Sequence, residues 1–167
     1  MVQPRPDRQN VGPKNCPACQ EANVILMRIQ ITDRLSPVHR AYLTRQLADF
    51  NARKLATVGR NQDDPLAALL LDEAGQIVGG LIAVIHWNLL EIKVLWVGEG
   101  QRGLGHGSAL LKAVEREGLQ RQCRQSVVDT FSFQAPDFYL RHGYEVFGVL
   151  KNCPPGQRRY YLRKDLP

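Results

Sequence analysis

The chain has 167 residues, 44% hydrophobic and 23% charged, which is the profile of one globular domain and not of a disordered polymer. No apolar run reaches the ~18 residues a membrane helix needs, and the longest stretch, 77–87, is interrupted by Gly79-Gly80. The formal charge of +6 favours an anionic ligand without naming it, since phosphates, nucleic acid and acidic membranes all fit.

Residues 1–23 read as an irregular tail with four prolines and almost no apolar residues. The tail lacks the basic-then-apolar order of a signal peptide, so a reducing, cytoplasmic setting is expected, without a disulfide framework. Cys16-Pro17-Ala18-Cys19 is a CxxC, but no second pair or HxxxH completes a structural zinc site, and no metal is expected. Residues 24–167 read as a single domain.

That domain opens with an apolar strand, Val24 to about Thr32. Ser36-Pro37 then starts a helix, with Leu43, Leu47 and Phe50 spaced as its buried face. Leu66 to Leu71, Gln76 to His86 and Leu89 to Val97 alternate as strands of an antiparallel meander, joined by Asp72-Glu73-Ala74-Gly75 and by Trp87-Asn88. A glycine-rich loop, 98–103, leads into a helix. Its inner side carries Leu110, Val114 and Gly118, and its outer side Lys112, Glu115 and Arg116. Ser126 to Phe131 is a strand, Ala135 to His142 a short helix with Pro136 in its first turn and Gly143 as cap, and Tyr144 to Leu150 and Arg159 to Arg163 are strands. The order β-α-β-β-β-α-β-α-β-β describes an α+β domain on one mixed sheet.

The strongest chemical signal is the segment Val94 to Ser108, a strand, a glycine loop and a helix start. A helix N-terminus offers unpaired N–H groups and partial positive charge, and glycines let a phosphate come close to the backbone. Gly98-Glu99-Gly100-Gln101-Arg102-Gly103 matches GxGxxG literally, but a meander precedes it where a dinucleotide fingerprint needs a first βαβ unit. No GK[ST] string supports a P-loop. On its own, the loop reads equally well as a capped turn or a phosphate site.

Arg102-Gly103-Leu104-Gly105-His106-Gly107 resembles the acyl-CoA loop of the GNAT superfamily of N-acetyltransferases: Gln or Arg, two residues, Gly, one residue, Gly or Ala. Further on, Ala135-Pro136-Asp137-Phe138-Tyr139-Leu140-Arg141-His142-Gly143-Tyr144 is similar to a second element of that family. Both stand in the family's order behind a three-strand meander, and the resemblance covers roughly 27–165. It implies the GNAT acyl-CoA N-acyltransferase fold, classed α+β or α/β: one mixed, mostly antiparallel sheet flanked by helices. It also implies an N-acetyltransferase that takes acetyl-CoA as co-substrate and transfers the acetyl group to a primary amine by direct attack.

Roles follow from the same resemblance. A bulge around Leu95-Trp96-Val97 would bond the pantetheine arm and acetyl group, with the Val97 N–H toward the oxyanion. Backbone N–H groups of Arg102, Gly103, Leu104, Gly105, His106 and Gly107, with Ser108, would hold the pyrophosphate. Ser132 stands where many members carry a cofactor-binding asparagine. Ala135 and Phe138 would line the cofactor slot, and Tyr139 would protonate the leaving thiolate. A phenol suits this task, being protonated at neutral pH.

Removing the amine's proton calls for a base or water. Strand alternation puts Glu91 on one face with Lys93, Leu95 and Val97. Glu91 thus reads either as the base or as the ion-pair partner of Lys93. His86 is the second choice, and Glu99 and Asp129 are weaker ones. The expected acceptor is a small-molecule amine. A protein lysine or N-terminus is the alternative, and a non-catalytic acyl-CoA sensor the second. No nucleic-acid or membrane partner is expected, and the C-terminal hairpin is an edge through which a homodimer could pair. Residues 101–124 hold Arg102, Lys112, Arg116, Arg121 and Arg124 against two glutamates, which locates part of the positive surplus at the expected phosphate site.

Overall fold

The computed structural model describes residues 28–55 and 63–167. The expected tail and its CxxC lie outside the described residues. The chain divides into two units, residues 1–37 and 38–167. In the first, Arg28–Thr32 form no strand, and Ile29 and Ile31 are 96% and 95% exposed. Apolar alternation predicts a strand only where a neighbour takes up its backbone N–H and C=O groups.

The second unit starts within helix α1 (Pro37–Lys54) and continues β1 (Asp64–Leu71), β2 (Ile77–His86), β3 (Leu89–Val97), a short 3₁₀ turn (Glu99–Gln101) and α2 (His106–Gln120). It ends with β4 (Gln125–Phe131), α3 (Pro136–Arg141), β5 (Glu145–Lys151) and β6 (Arg158–Asp165). Helix α1 corrects one expectation: it buries no residue, and Leu43, Leu47 and Phe50 are exposed. A 3.6-residue stripe marks which side could be buried but supplies nothing to bury it.

The six strands form one sheet in the order β1-β2-β3-β4-β6-β5. All neighbours are antiparallel except β3 and β4, which are parallel. A parallel pair needs a crossover, and α2 provides it. Its inner residues Leu110, Leu111, Val114 and Gly118 pack on β1, β2 and β3 with Leu81, Leu90 and Ile92 in the core. Gly118 allows the close approach there, because a Cβ would stand 3.1 Å from Leu90 Cδ2, tighter than ordinary contact.

Two departures from simple periodicity matter. Val94 pairs with Ile82 and Ile92 with Ala83, so Lys93 is an extra residue, a β-bulge. The expected bulge at Leu95-Trp96-Val97 is therefore displaced toward the start of the strand. The bulge also shifts the pleat, so that Leu95 and Val97 share the core side with Leu90 and Ile92, while Val94 and Trp96 are exposed. Glu91 thus does not share a face with Leu95 and Val97. Glu115, expected on the outer side of α2, is only 7% exposed.

Candidate active site

The parallel pairing of β3 with β4 runs only from Leu89–Gln125 to Ile92–Val128. Past that point β3 continues to Val97 and β4 to Phe131. The two strands separate, and a cleft of about 930 Å³ lies between them, within the range of small-molecule sites. Its walls are Ile92 to Val97 on one side and Val128, Asp129 and Thr130 on the other. The rest comes from Phe133 to Ala135, from Phe138, Tyr139 and Arg141, and from the glycine loop through Ser108. The strand edges facing the gap carry backbone groups without a strand neighbour, which suits an amide-bearing ligand arm.

The loop forms one end of the cleft. Its backbone turns back through Gln101 N–H to Gly98 O at 2.9 Å and Arg102 N–H to Glu99 O at 3.2 Å. The Arg102 Nε donates to Val97 O at 3.0 Å, tying the loop to the end of β3. The Arg102 backbone N–H is thus committed internally, and the donors left for an anion begin after it. Gly103 (φ +76°) and Gly105 (φ +86°) occupy the left-handed region, where side-chain-bearing residues are disfavoured. The first bond of α2 runs from Ala109 N–H to Gly105 O at 3.0 Å, so His106, Gly107 and Ser108 carry the N–H groups without helical partners. Phe138 packs over Gly107, its ring 3.5 Å from where a Cβ would stand, an ordinary contact distance.

Helix α3 delivers Tyr139, which is only 6% exposed yet lines the cleft. Its ring meets Phe138 at 5.1 Å and Tyr144 at 5.5 Å, both edge to face. Burial, then the nearby Asp129 charge, pushes its phenol up to about 12. The Tyr144 hydroxyl donates to Glu115 Oε1 at 3.0 Å and pairs with Ser126 Oγ at 2.7 Å, and Lys164 Nζ donates to Glu115 Oε2 at 2.7 Å. Burial first, with a further rise from the Glu115 charge, also raises the Tyr144 phenol.

The other sequence-predicted residues divide. Leu95, Trp96, Val97, Arg102, Gly103, Gly105, His106, Gly107, Ser108, Ala135, Phe138 and Tyr139 all line the cleft, whereas Leu104 does not. Ser132 does not line it either: its hydroxyl donates to Gln157 Oε1 at 2.6 Å and accepts from Arg158 N–H at 3.1 Å, fastening β4 to β6. Glu91 is outside the lining and pairs with Lys93 Nζ at 2.6 Å. His86 pairs with Leu89 at the opposite end of β3 from Val97, roughly 26 Å along the strand. It lines a separate hollow with Trp87 and Asp165.

Two further lining residues bear on the chemistry: Gln134, which sequence reading did not single out, and Asp129, which it ranked only as a weaker base. Gln134 has its Oε1 fixed by Thr130 Oγ1 at 3.1 Å and Phe131 N–H at 3.0 Å. Asp129 is the carboxylate of the lining, and its Oδ2 accepts from Arg159 Nε at 2.7 Å. The cation cluster is also redistributed. Of the five basic residues in 101–124 only Arg102 lines the cleft, joined by Lys93 and Arg141 from other elements. Arg121 lies at the far end of α2, roughly 22 Å from the loop, bonded to Glu117 at 2.7 Å.

Over residues 26–144 the sequence matches the model of the acetyltransferase (GNAT) family. It is 35% identical over 143 residues to the blasticidin-S acetyltransferase of Streptomyces morookaense, covering 84% of this chain and 98% of that protein. The fold superimposes on an acetyltransferase from Bacillus cereus ATCC 14579 with TM-score 0.75 and 30% identity, over 82% of this chain and 98% of the other. An aminoglycoside 6'-N-acetyltransferase complexed with coenzyme A shares the fold at TM-score 0.57 and 19% identity, over 84% of this chain and 98% of the other.

Proposed function

This chain belongs to the GNAT acetyltransferase family and is an N-acetyltransferase, and from that premise we propose that it acetylates a small cationic amine in the β3–β4 cleft. The observation that carries the reading is the meeting of three groups in that cleft: the anion-ready start of α2, the buried phenol of Tyr139 and the carboxylate of Asp129. Similarity to an acetyltransferase for blasticidin S across almost its full length supports the same substrate class.

In this reading the N–H groups at the start of α2 hold the pyrophosphate of acetyl-CoA, and the open edge of β3 around Leu95–Val97 pairs with its pantetheine arm. Ala135 and Phe138 line the slot, and the Gln134 amide offers the donor that Ser132, bonded to Gln157, does not. The Asp129 carboxylate, held through Oδ2 by Arg159, offers its Oδ1 to the ammonium of the acceptor. After the ammonium loses its proton to water, the amine attacks the thioester carbonyl directly and a tetrahedral oxyanion forms, stabilised by backbone N–H donors near Val97. The C–S bond breaks, Tyr139 protonates the departing thiolate, and the proton shed by the attacking nitrogen returns through water to the phenolate, leaving amide and free thiol.

Two consequences are measurable. Gly105→Val puts a β-branched residue at φ +86°, costing about 1–2 kcal/mol in the loop. KM for acetyl-CoA should rise about tenfold, and an unchanged KM would remove the loop from cofactor binding. Glu91→Gln should leave turnover and its pH profile unchanged, because the carboxylate is paired with Lys93 outside the cleft. A loss confined to low pH would return Glu91 to the mechanism as a base.

The acceptor class is tested by comparing kcat/KM across amino sugars, polyamines, amine-bearing nucleosides and lysine peptides at saturating acetyl-CoA. A small cationic amine should exceed every peptide by at least about tenfold, a difference of roughly 1.4 kcal/mol. Preference for peptides would overturn the small-molecule reading.

A further inference from the structure

Helix α3 has only six residues, and its last carbonyls lack helical donors. The His142 N–H turns back to Tyr139 O at 2.9 Å and so does not serve Phe138 O. The His142 ring does so instead, with Nδ1 2.7 Å from that carbonyl. A carbonyl only accepts, so Nδ1 is the nitrogen that donates to it, and in the neutral tautomer this fixes, Nε2 is left as an acceptor. Across the cleft wall Nε2 lies 2.9 Å from Ser108 Oγ, a contact in which the serine hydroxyl donates to that tautomer. The ring is further held against Phe138, with centroids 4.4 Å apart.

Ser108 is in the first turn of α2, and Tyr139 is in α3. The contact therefore joins the element expected to hold the phosphates directly to the element that carries the acid. We propose that His142 is a positioning residue for Tyr139, locking α3 to the first turn of α2 through Ser108 and withholding the Ser108 hydroxyl proton from the cofactor's phosphates. This rests on Tyr139 being the acid. It changes the part expected of Ser108: the side chain sets the geometry of the chemical step, and the phosphates are left to backbone N–H groups. A serine oxygen that has donated its proton presents only lone pairs to a phosphate, so it adds nothing to cofactor affinity.

The test uses the full chain and steady-state kinetics of Ser108→Ala, His142→Phe and the double variant, each also made on a Tyr139→Phe background. His142→Phe keeps a ring against Phe138 while removing both hydrogen bonds. Each single variant should lower kcat about tenfold, below the ~10²-fold that a 1 Å misplacement can cost. KM for acetyl-CoA should stay within about twofold of wild type. The double variant should match the singles, because both remove one contact. On the Tyr139→Phe background neither change should lower kcat further, which a merely structural defect would do.

A raised KM for acetyl-CoA with unchanged kcat in Ser108→Ala would overturn the proposal, and this variant decides the matter even if His142→Phe fails to fold. Wild-type kcat in His142→Phe alongside an impaired Tyr139→Phe would overturn the proposal alone. Wild-type turnover in Tyr139→Phe would overturn the acid assignment and the proposal together.

Discussion

Tyr139→Phe should lower turnover about 10²-fold, the usual size for a lost general acid, while leaving KM for acetyl-CoA nearly unchanged. Only a hydroxyl is removed. The ring keeps its edge-to-face contacts with Phe138 and Tyr144, so the variant should fold. With its pKa pushed up to about 12, the phenol stays protonated across the working range. The pH profile of the wild type should therefore follow the acceptor amine, rising as that amine is deprotonated, with no decline near 10. The same shift makes a stability statement. The contribution is present in full below the unfolded phenol's pKa near 10 and is lost as pH rises through 12. It is worth about 2–3 kcal/mol, and the alkaline fall in Tm should be shallower in Tyr139→Phe. Undiminished turnover in the variant would remove Tyr139 from the mechanism.

The second large effect is on stability. Glu115 accepts from both the Tyr144 hydroxyl and the Lys164 ammonium, and Ser126 donates to the same Tyr144 oxygen. Four elements or their flanks meet at this carboxylate: α2, β4, the start of β5 and β6. Glu115→Ala would leave a partly buried ammonium and a buried hydroxyl without their acceptor, at a cost of about 3 kcal/mol. Thermal unfolding should shift down by roughly 6–12 °C for a chain of this size. Glu115→Gln, which keeps one acceptor oxygen for Tyr144, should lose less. A shift of Tm within about 1 °C for the alanine variant would mean that the network contributes little.

The features legible in the sequence are those set by local backbone chemistry. The strands of the meander alternate because one face packs on α2, and Leu89–Val97 begins and ends where alternation put it. Gly103 and Gly105 mark the loop because their positive φ tolerates little else. Pro136 and Gly143 bracket α3 for the reasons proline starts and glycine stops a helix. What the sequence concealed depends on partners distant in the chain. A single extra residue at Lys93 reverses the faces of β3 beyond it, and no alternation pattern announces a bulge. Glu115 reads as an outward charge until Lys164, 49 residues away, is folded against it. Ser132 reads as a weakened cofactor contact until Gln157 takes its hydroxyl. Asp129 and Gln134 needed the separation of β3 from β4 before either could be placed in a cleft.

The central claim is direct acetyl transfer from acetyl-CoA to an amine held in that cleft. Its most direct test follows free thiol and acetylated amine together in one reaction with the acceptor of highest kcat/KM. The two should rise one for one, with no thiol release when the amine is left out and no acetyl group retained on the protein. Thiol release without an acceptor, acetyl carried on the protein, or acetyl-CoA binding with no turnover on any amine would contradict the account.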